Sequence, residues 1–247
     1  ISGDTYYLVI GDEVTKVTIK TRLDYKGHDG VGVQQKRDGE RVIAFKRGGK
    51  VTLMSRNGNE IETLPHIVKL IEDAEVDNVV LDGDVMGADW NESASVIAST
   101  KNAKDTSNTN FYVFSAFPIG EWDTQEFLTP YSEQLSFAAT ICEAIGNAHV
   151  QVMPIKVMHS DLEMLEAYLD ELDAGHEGVI LKPIDGRYTL GKTDEGWWKF
   201  KPEQTYEGSI VGWFKGATGS KRENAWAGFW IMLDNGVATR VGIGWKD

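Results

Sequence analysis

The chain has 247 residues, 41% of them hydrophobic and 10% aromatic, which supports one large and one small packed domain and excludes a disordered chain. No apolar run approaches the ~20 residues of a bilayer-spanning helix, no signal-peptide pattern opens the chain, and a single cysteine, Cys142, rules out an internal disulfide. Together these point to a cytoplasmic protein with no membrane association, and the net charge of −13 weighs against a nucleic-acid binder that is basic all round.

In chain order, strands are predicted at Tyr6–Ile10, Val31–Gln35, Arg41–Phe45 and Val51–Ser55, with Asp38-Gly39 and Gly48-Gly49 as hairpin-type turns between them. Ile67, Leu70 and Ile71 place a helix over Pro65–Ala74. Buried strands follow at Asn78–Met86 and Phe111–Phe117, then a helix at Tyr131–Ile145. The segment Asp161–Ala174 carries the clearest helix signal. Ser160 and Glu163 form a capping-box pattern, Leu162, Leu165, Leu169 and Leu172 give an apolar stripe, and Gly175 is the stop. Strands at Val179–Lys182 and Trp197–Lys201 close the large domain, with the boundary at Pro202. Beyond it, Ser209–Phe214, Gly228–Leu233 and Ala238–Val241 read as short strands of a β-barrel-like module, too few for a complete five-stranded barrel.

The acidity is uneven. From Gly120 to Glu177 there are 12 Asp/Glu against one basic residue, Lys156, whereas Gln34–Lys50 and Lys182–Lys201 run the other way. An acidic back and a basic working face are compatible with DNA binding.

The chemistry-bearing residues fall in a fixed order. Lys36-Arg37-Asp38-Gly39-Glu40-Arg41 comes first, then Ser55-Arg56-Asn57-Gly58 after the next strand. Leu81-Asp82-Gly83-Asp84 lies in a buried strand and Phe111-Tyr112-Val113-Phe114 in the next one. Glu177-Gly178-Val179-Ile180-Leu181-Lys182 follows the capped helix, and Trp197-Trp198-Lys199-Phe200-Lys201-Pro202 closes the domain. Each motif alone is short and compatible with an ordinary turn or strand; the ordered series is not. It resembles the covalent nucleotidyltransferases, which include DNA ligases, RNA ligases and mRNA-capping enzymes, and within them the compact ATP-dependent DNA ligases of bacteriophages and bacteria. The resemblance covers roughly Gln34 to Pro202.

Several expectations follow from that resemblance. The fold is α+β: a nucleotidyltransferase (adenylation) domain over residues 1–202, with antiparallel sheets and flanking helices, then an incomplete OB-fold over 203–247. Lys36 is the nucleophile that carries AMP, and Gln34, Arg41, Arg56, Phe114, Glu177, Lys199 and Lys201 contact ATP or AMP. Phe114 is the aromatic stacked on the purine. Gln34 shares a strand face with Lys36 and has an amide carbonyl able to accept from the adenine exocyclic amine. Asp84 and Glu177 are the candidate metal ligands, and oxygen donors beside phosphates suit Mg2+, with Mn2+ as a substitute. A lysine has to lose its proton to attack phosphorus, and Lys199, Lys201 and the metal are the cations that could favour that loss. The partner is nicked duplex DNA, met by a monomer in the cytoplasm, or in the host cytoplasm for a phage protein.

The sequence departs from the family pattern in three places. Asp84 stands where a Glu is usual, Ser115 where an Asp is common, and no basic final motif precedes Asp247. RNA ligases and capping-type nucleotidyltransferases are the nearest alternatives. An inactive OB-type nucleic-acid-binding module is the non-enzyme alternative, and the absence of an extra N-terminal domain disfavours use of NAD.

Overall fold

A computed structural model describes residues 5–10, 13–18, 28–37, 39–87, 105–190, 197–202, 207–216, 218, 223–234 and 236–242. The chain divides into two compact units, Ile1–Pro202 and Glu203–Asp247. In the first, the strands are β1 (Thr5–Ile10), β2 (Glu13–Thr18), β3 (Val31–Gln35), β4 (Glu40–Arg47), β5 (Lys50–Ser55), β6 (Val79–Met86), β7 (Asn110–Pro118), β8 (Val150–Val152), β9 (Lys156–Met158), β10 (Val179–Pro183) and β11 (Trp198–Phe200). The helices are α1 (Pro65–Asp73), α2 (Ile119–Thr124), α3 (Tyr131–Ile145) and α4 (Asp161–Asp173).

β1 and β2 pair as a separate antiparallel hairpin. A four-stranded sheet runs β11-β10-β3-β9 and a five-stranded sheet runs β5-β4-β6-β7-β8. Gly48 (φ 54) and Gly49 (φ 76) make the two-residue turn that joins β4 to β5, because such a turn needs left-handed backbone at both positions. Asp38-Gly39 does not close a hairpin. β3 and β4 belong to different sheets, so this segment is the crossover between them, and Asp38 itself lies outside the described residues. The sheets are also not wholly antiparallel: β7 and β8 pair in parallel. Parallel neighbours need a crossover, which here contains α2 and α3.

Each sheet buries one face under helices. Val42, Leu81, Val85 and Phe111 of the five-stranded sheet pack with Ile67 and Ile71 of α1 and Ala138 and Ile141 of α3. Lys46, 2% exposed, donates to the carbonyls of Ile71, Glu72 and Ala74 at 2.8, 2.9 and 2.6 Å. It thereby caps the α1 C-terminus, where carbonyls lack helical partners and a cation is favoured. Val31, Val33, Val179, Leu181 and Phe200 pack with Met164 and Tyr168 of α4.

The Ser160–Glu163 capping box forms as the spacing predicts. The apolar stripe of α4 is rotated from the leucine spacing, however. Met164 and Tyr168 form its buried centre, Leu165, Leu169 and Leu172 flank it, and Leu162 is 62% exposed. Counting leucines alone missed the larger Met and Tyr side chains one position away. Four short elements that the sequence did not reveal, β2, β8, β9 and α2, complete the unit.

The second unit contains an antiparallel sheet in the order β12 (Gly208–Lys215), β13 (Trp226–Leu233), β14 (Ala238–Gly242). Among the described residues it is an open sheet, not a closed barrel. No helix among the described residues is long and apolar enough to cross a membrane.

Candidate functional site

The face of the five-stranded sheet opposite α1 and α3 turns toward the four-stranded sheet, with Lys182 of β10 against Phe114 of β7, and the space beside this contact is the cleft. Side chains alternate along a strand, so burying Val31 and Val33 against α4 turns Gln34 to the other face. Gln34 lies in a cross-strand row with Ile180 and Lys199, since β10 pairs with both β3 and β11. Gln34 is 2% exposed and its side-chain amide nitrogen has no hydrogen-bond partner among the described residues. A buried donor left alone costs free energy, so this amide is a position where a ligand's acceptor fits.

Lys36 sits just beyond β3, anchored by its backbone N–H on the Gly178 carbonyl at 2.8 Å. Its Nζ contacts Oε2 of Glu177, and Nζ of Lys201 lies 3.4 Å from Oε1 of the same carboxylate. Glu177 is held in place by its neighbour: Gly178 has φ +138, and a Cβ there would stand 2.0 Å from the Phe200 carbonyl oxygen. Only glycine allows β10 to approach β11 so closely. The immediate partner of Lys36 is therefore a carboxylate, not the cations expected from the sequence. Lys201 reaches that carboxylate, while Lys199 is exposed and makes no ion pair among the described residues.

On the opposite wall, Arg41 of β4 donates to both carboxylate oxygens of Asp82, at 2.9 and 2.6 Å. Its Nη2 also lies 2.7 Å from the Tyr188 hydroxyl, which donates to Asp82 at 2.8 Å. Asp82 is fully buried. Burial works against the Arg41 charge, but the Asp82 carboxylate and its hydrogen bonds more than offset it and raise the guanidinium above its ordinary range. Asp84, two residues on, is pushed up to about 6, first by burial and then by the Asp82 charge.

Phe114 is the extra residue of a β-bulge, because Asp82 pairs with Ser115 while Gly83 pairs with Val113. Bulges re-aim side chains, and this one sends the ring into the cleft. There it meets Lys182, whose Nζ lies 4.1 Å from the Phe114 ring centre, 3.7 Å from Trp197 and 4.9 Å from Tyr131. Phe114 is 6% exposed, and Lys182 occupies a face of its ring.

Burial drives the Lys182 amine down to about 7, with Asp82 and Asp84 pulling the other way. Between that value and the ordinary pKa of 10.5 the unfolded chain binds the extra proton. Stability is therefore expected to rise with pH across this window, by a few kcal/mol. Lys182→Met keeps the volume and removes the titration. Urea unfolding at pH 7 to 10 should show wild type gaining on the variant, and parallel profiles would refute this account.

Among the predicted site residues the cleft collects Gln34, Lys36, Arg41, Asp84, Phe114, Glu177, Lys199 and Lys201. Arg56 is exposed just beyond β5, on the rim of a separate groove lined by Ile43, Phe45, Met54 and Trp122, so it is not gathered with the others. Asp82, Lys182 and Tyr188 were not assigned from the sequence. Asp82 shares a strand face with Asp84, and Lys182 interrupts an apolar strand on the face of Ile180, so alternation could have found both. Tyr188 follows β10 and carried no local signal. Among the described residues no three His, Cys, Asp or Glu side chains converge. Mg2+ needs no such cluster, since it is commonly held by one or two carboxylates together with substrate phosphates. Asp84 and Glu177 are the carboxylates of the cleft, and both oxygens of Glu177 meet lysines, Lys36 and Lys201.

Residues 13–201 match the family described as ATP dependent DNA ligase domain. A probable DNA ligase of Pseudarthrobacter chlorophenolicus is 28% identical over 196 residues, covering 78% of this chain and 37% of that protein. A DNA ligase of Natronomonas pharaonis is 28% identical, covering 81% and 38% respectively. The chain thus spans less than half the length of these relatives. Among solved structures, the ATP-dependent DNA ligase of bacteriophage T7 in complex with ATP superimposes with a TM-score of 0.60 at 22% identity, covering 86% of this chain and 74% of that one. A Lig E DNA ligase gives a TM-score of 0.67 at 18% identity, covering 93% and 84%. These likenesses establish a shared fold.

Proposed function

Since the chain belongs to the ATP-dependent DNA ligase domain family, we propose that it seals nicks in duplex DNA through AMP carried on Lys36. The observation that carries this reading is the junction of Lys36 with Glu177, two residues along from Gln34, whose buried side-chain amide nitrogen has no partner among the described residues. In the first step Lys36 Nζ attacks the α-phosphorus of ATP, a P–N bond forms, and the P–O bond to pyrophosphate breaks. Glu177, already on Nζ, is the base in reach of the departing proton. AMP then passes to the 5′-phosphate at the nick, and the 3′-hydroxyl displaces it to form the phosphodiester.

Gln34 meets the adenine edge, and Phe114 stacks on the ring once Lys182 withdraws from its face. Arg41 reaches the sugar from its Asp82 anchor, while Lys199 and Lys201 hold phosphate oxygens. Asp84 and Glu177 would hold Mg2+, which would supply positive charge against that building on the phosphates. The open sheet of the second unit is the first part of an OB-fold. The enzyme acts as a monomer in the cytoplasm.

Incubation with labelled ATP, GTP or NAD, followed by a denaturing gel, is expected to label the chain from ATP alone. Closure of a nicked DNA duplex, but not of a nicked RNA duplex, is expected from the same protein. Labelling from GTP, or closure of RNA only, would move the assignment to the capping enzymes or RNA ligases.

A further inference from the structure

Tyr188 is a buried polar side chain that the proposed reaction does not use. It lies on the connection from β10 to β11, which is tied to the start of α3. There the Gly186 and Ile184 carbonyls accept from the N–H groups of Tyr131 and Ser132, each at 2.7 Å. The Tyr188 ring is 3% exposed and packs among Phe117, Phe127 and Trp197, with ring centres 4.8, 5.0 and 6.2 Å away. Its hydroxyl accepts from Arg41 Nη2 at 2.7 Å and donates to Asp82 Oδ2 at 2.8 Å, and Nη2 donates to that same carboxylate oxygen at 2.6 Å. The three groups close a ring. Burial, and then the Asp82 charge, raise the phenol well above its ordinary range, so it keeps the proton that it donates.

Counting the donors of the guanidinium shows what the hydroxyl does. An arginine side chain has five N–H donors in a fixed fork. Nε gives its one to Asp82 Oδ1, and Nη2 gives its two to Asp82 Oδ2 and Tyr188. Both N–H groups of Nη1 have no partner among the described residues, while the Arg41 side chain keeps 26% exposure. Without the hydroxyl, one Nη2 donor would be left over and the pair could pivot about the Asp82 carboxylate. We infer that Tyr188 is a positioning residue: its hydroxyl locks Arg41 so that Nη1 is the edge offered to a ligand, and thereby sets how strongly the site selects a ribonucleotide over its deoxy analogues. The inference rests on the nick-sealing reading, in which Arg41 reaches the sugar of ATP, and adds a residue to it.

Nucleotide selection tests it. Labelling of the chain is timed with ATP, 2′-deoxy-ATP and 3′-deoxy-ATP, for wild type and for Tyr188→Phe, which loses the hydroxyl and keeps the ring. Wild type is expected to prefer ATP over at least one deoxy analogue by about tenfold or more in kcat/KM, because a donor aimed at a hydroxyl is left alone when that hydroxyl is missing. In Tyr188→Phe, KM for ATP should rise about tenfold with kcat within about twofold of wild type. The analogue should lose nothing, so the preference shrinks by the same factor. Asp82→Asn, which weakens the ring from its other side, should narrow the preference in the same direction.

Phe127→Leu is the packing control, since that ring rests on Tyr188 and has no polar atom to offer Arg41. It should lower Tm and leave the preference at its wild-type value. A preference unchanged in Tyr188→Phe, or lost equally in Phe127→Leu, overturns the inference and leaves the ligase reading intact. Equal use of all three nucleotides by wild type does the same. A wild-type chain that takes no label from ATP overturns both.

Discussion

Replacing Lys36 by alanine is expected to lower transfer of label from ATP to the chain by a factor on the order of 10^3 or more, because the attacking nitrogen itself is removed. The fold should survive. Lys36 is an end-of-strand residue whose side chain is 17% exposed and whose ion-pair partner, Glu177, is 28% exposed. A solvent-screened pair of this kind contributes about 1 kcal/mol at most, or about 2–4 °C in Tm for a domain of this size. Lys36→Arg should be equally inactive, since a guanidinium does not give up its proton in the accessible range. Mass spectrometry of the labelled wild type should locate AMP on the peptide containing Lys36. Label on another lysine, or label retained by Lys36→Ala, would falsify the assignment.

Asp82→Ala should have the largest effect on stability. Asp82 is fully buried and holds Arg41 through two hydrogen bonds and Tyr188 through a third. Its removal leaves a guanidinium and a phenol in the interior without their acceptor. Breaking a buried pair from one side costs about 3–5 kcal/mol, or roughly 6–20 °C in Tm. Asp82→Asn keeps an acceptor of the same shape and should lose markedly less. Thermal unfolding of both variants decides: an alanine variant within ~2 °C of wild type means that Arg41 and Tyr188 do not depend on this carboxylate.

Much of the architecture was legible because its signals are local. Val31–Gln35 and Tyr131–Ile145 take the predicted bounds, and the Ser160–Glu163 box starts α4 where the spacing placed it. What escaped the sequence depends on distant partners. Whether Asp38-Gly39 turns a strand back or carries it into another sheet is decided by which later strands stand beside β3 and β4, and no nearby residue encodes that. β8 and β9 are three residues each and gain their strand character from β7 and β3.

The same division holds in the cleft. The ordered motifs pointed to Lys36, Arg41, Glu177 and Lys201, but not to what each residue would touch. Glu177 on Lys36, and Lys182 over Phe114, are products of two sheets meeting face to face. Tyr188 joins Asp82 across 106 positions of sequence, a link that no motif carries.

The pairing of β3 with β10 also sets an order of events during synthesis. Lys36 and its partner Glu177 are 141 residues apart, and β3 lies between β10 and β9, both made much later. At ~5–20 residues per second a ribosome needs about 7–28 s to travel from one to the other. The five-stranded sheet can gather its strands up to β8 in the meantime, but among the described strands β3, which leads to Lys36, has no neighbours until β9 and β10 emerge. A nascent chain therefore matures from the wall that carries Arg41 toward the one that carries Lys36, and Lys36 acquires its carboxylate near the end of translation of the first unit.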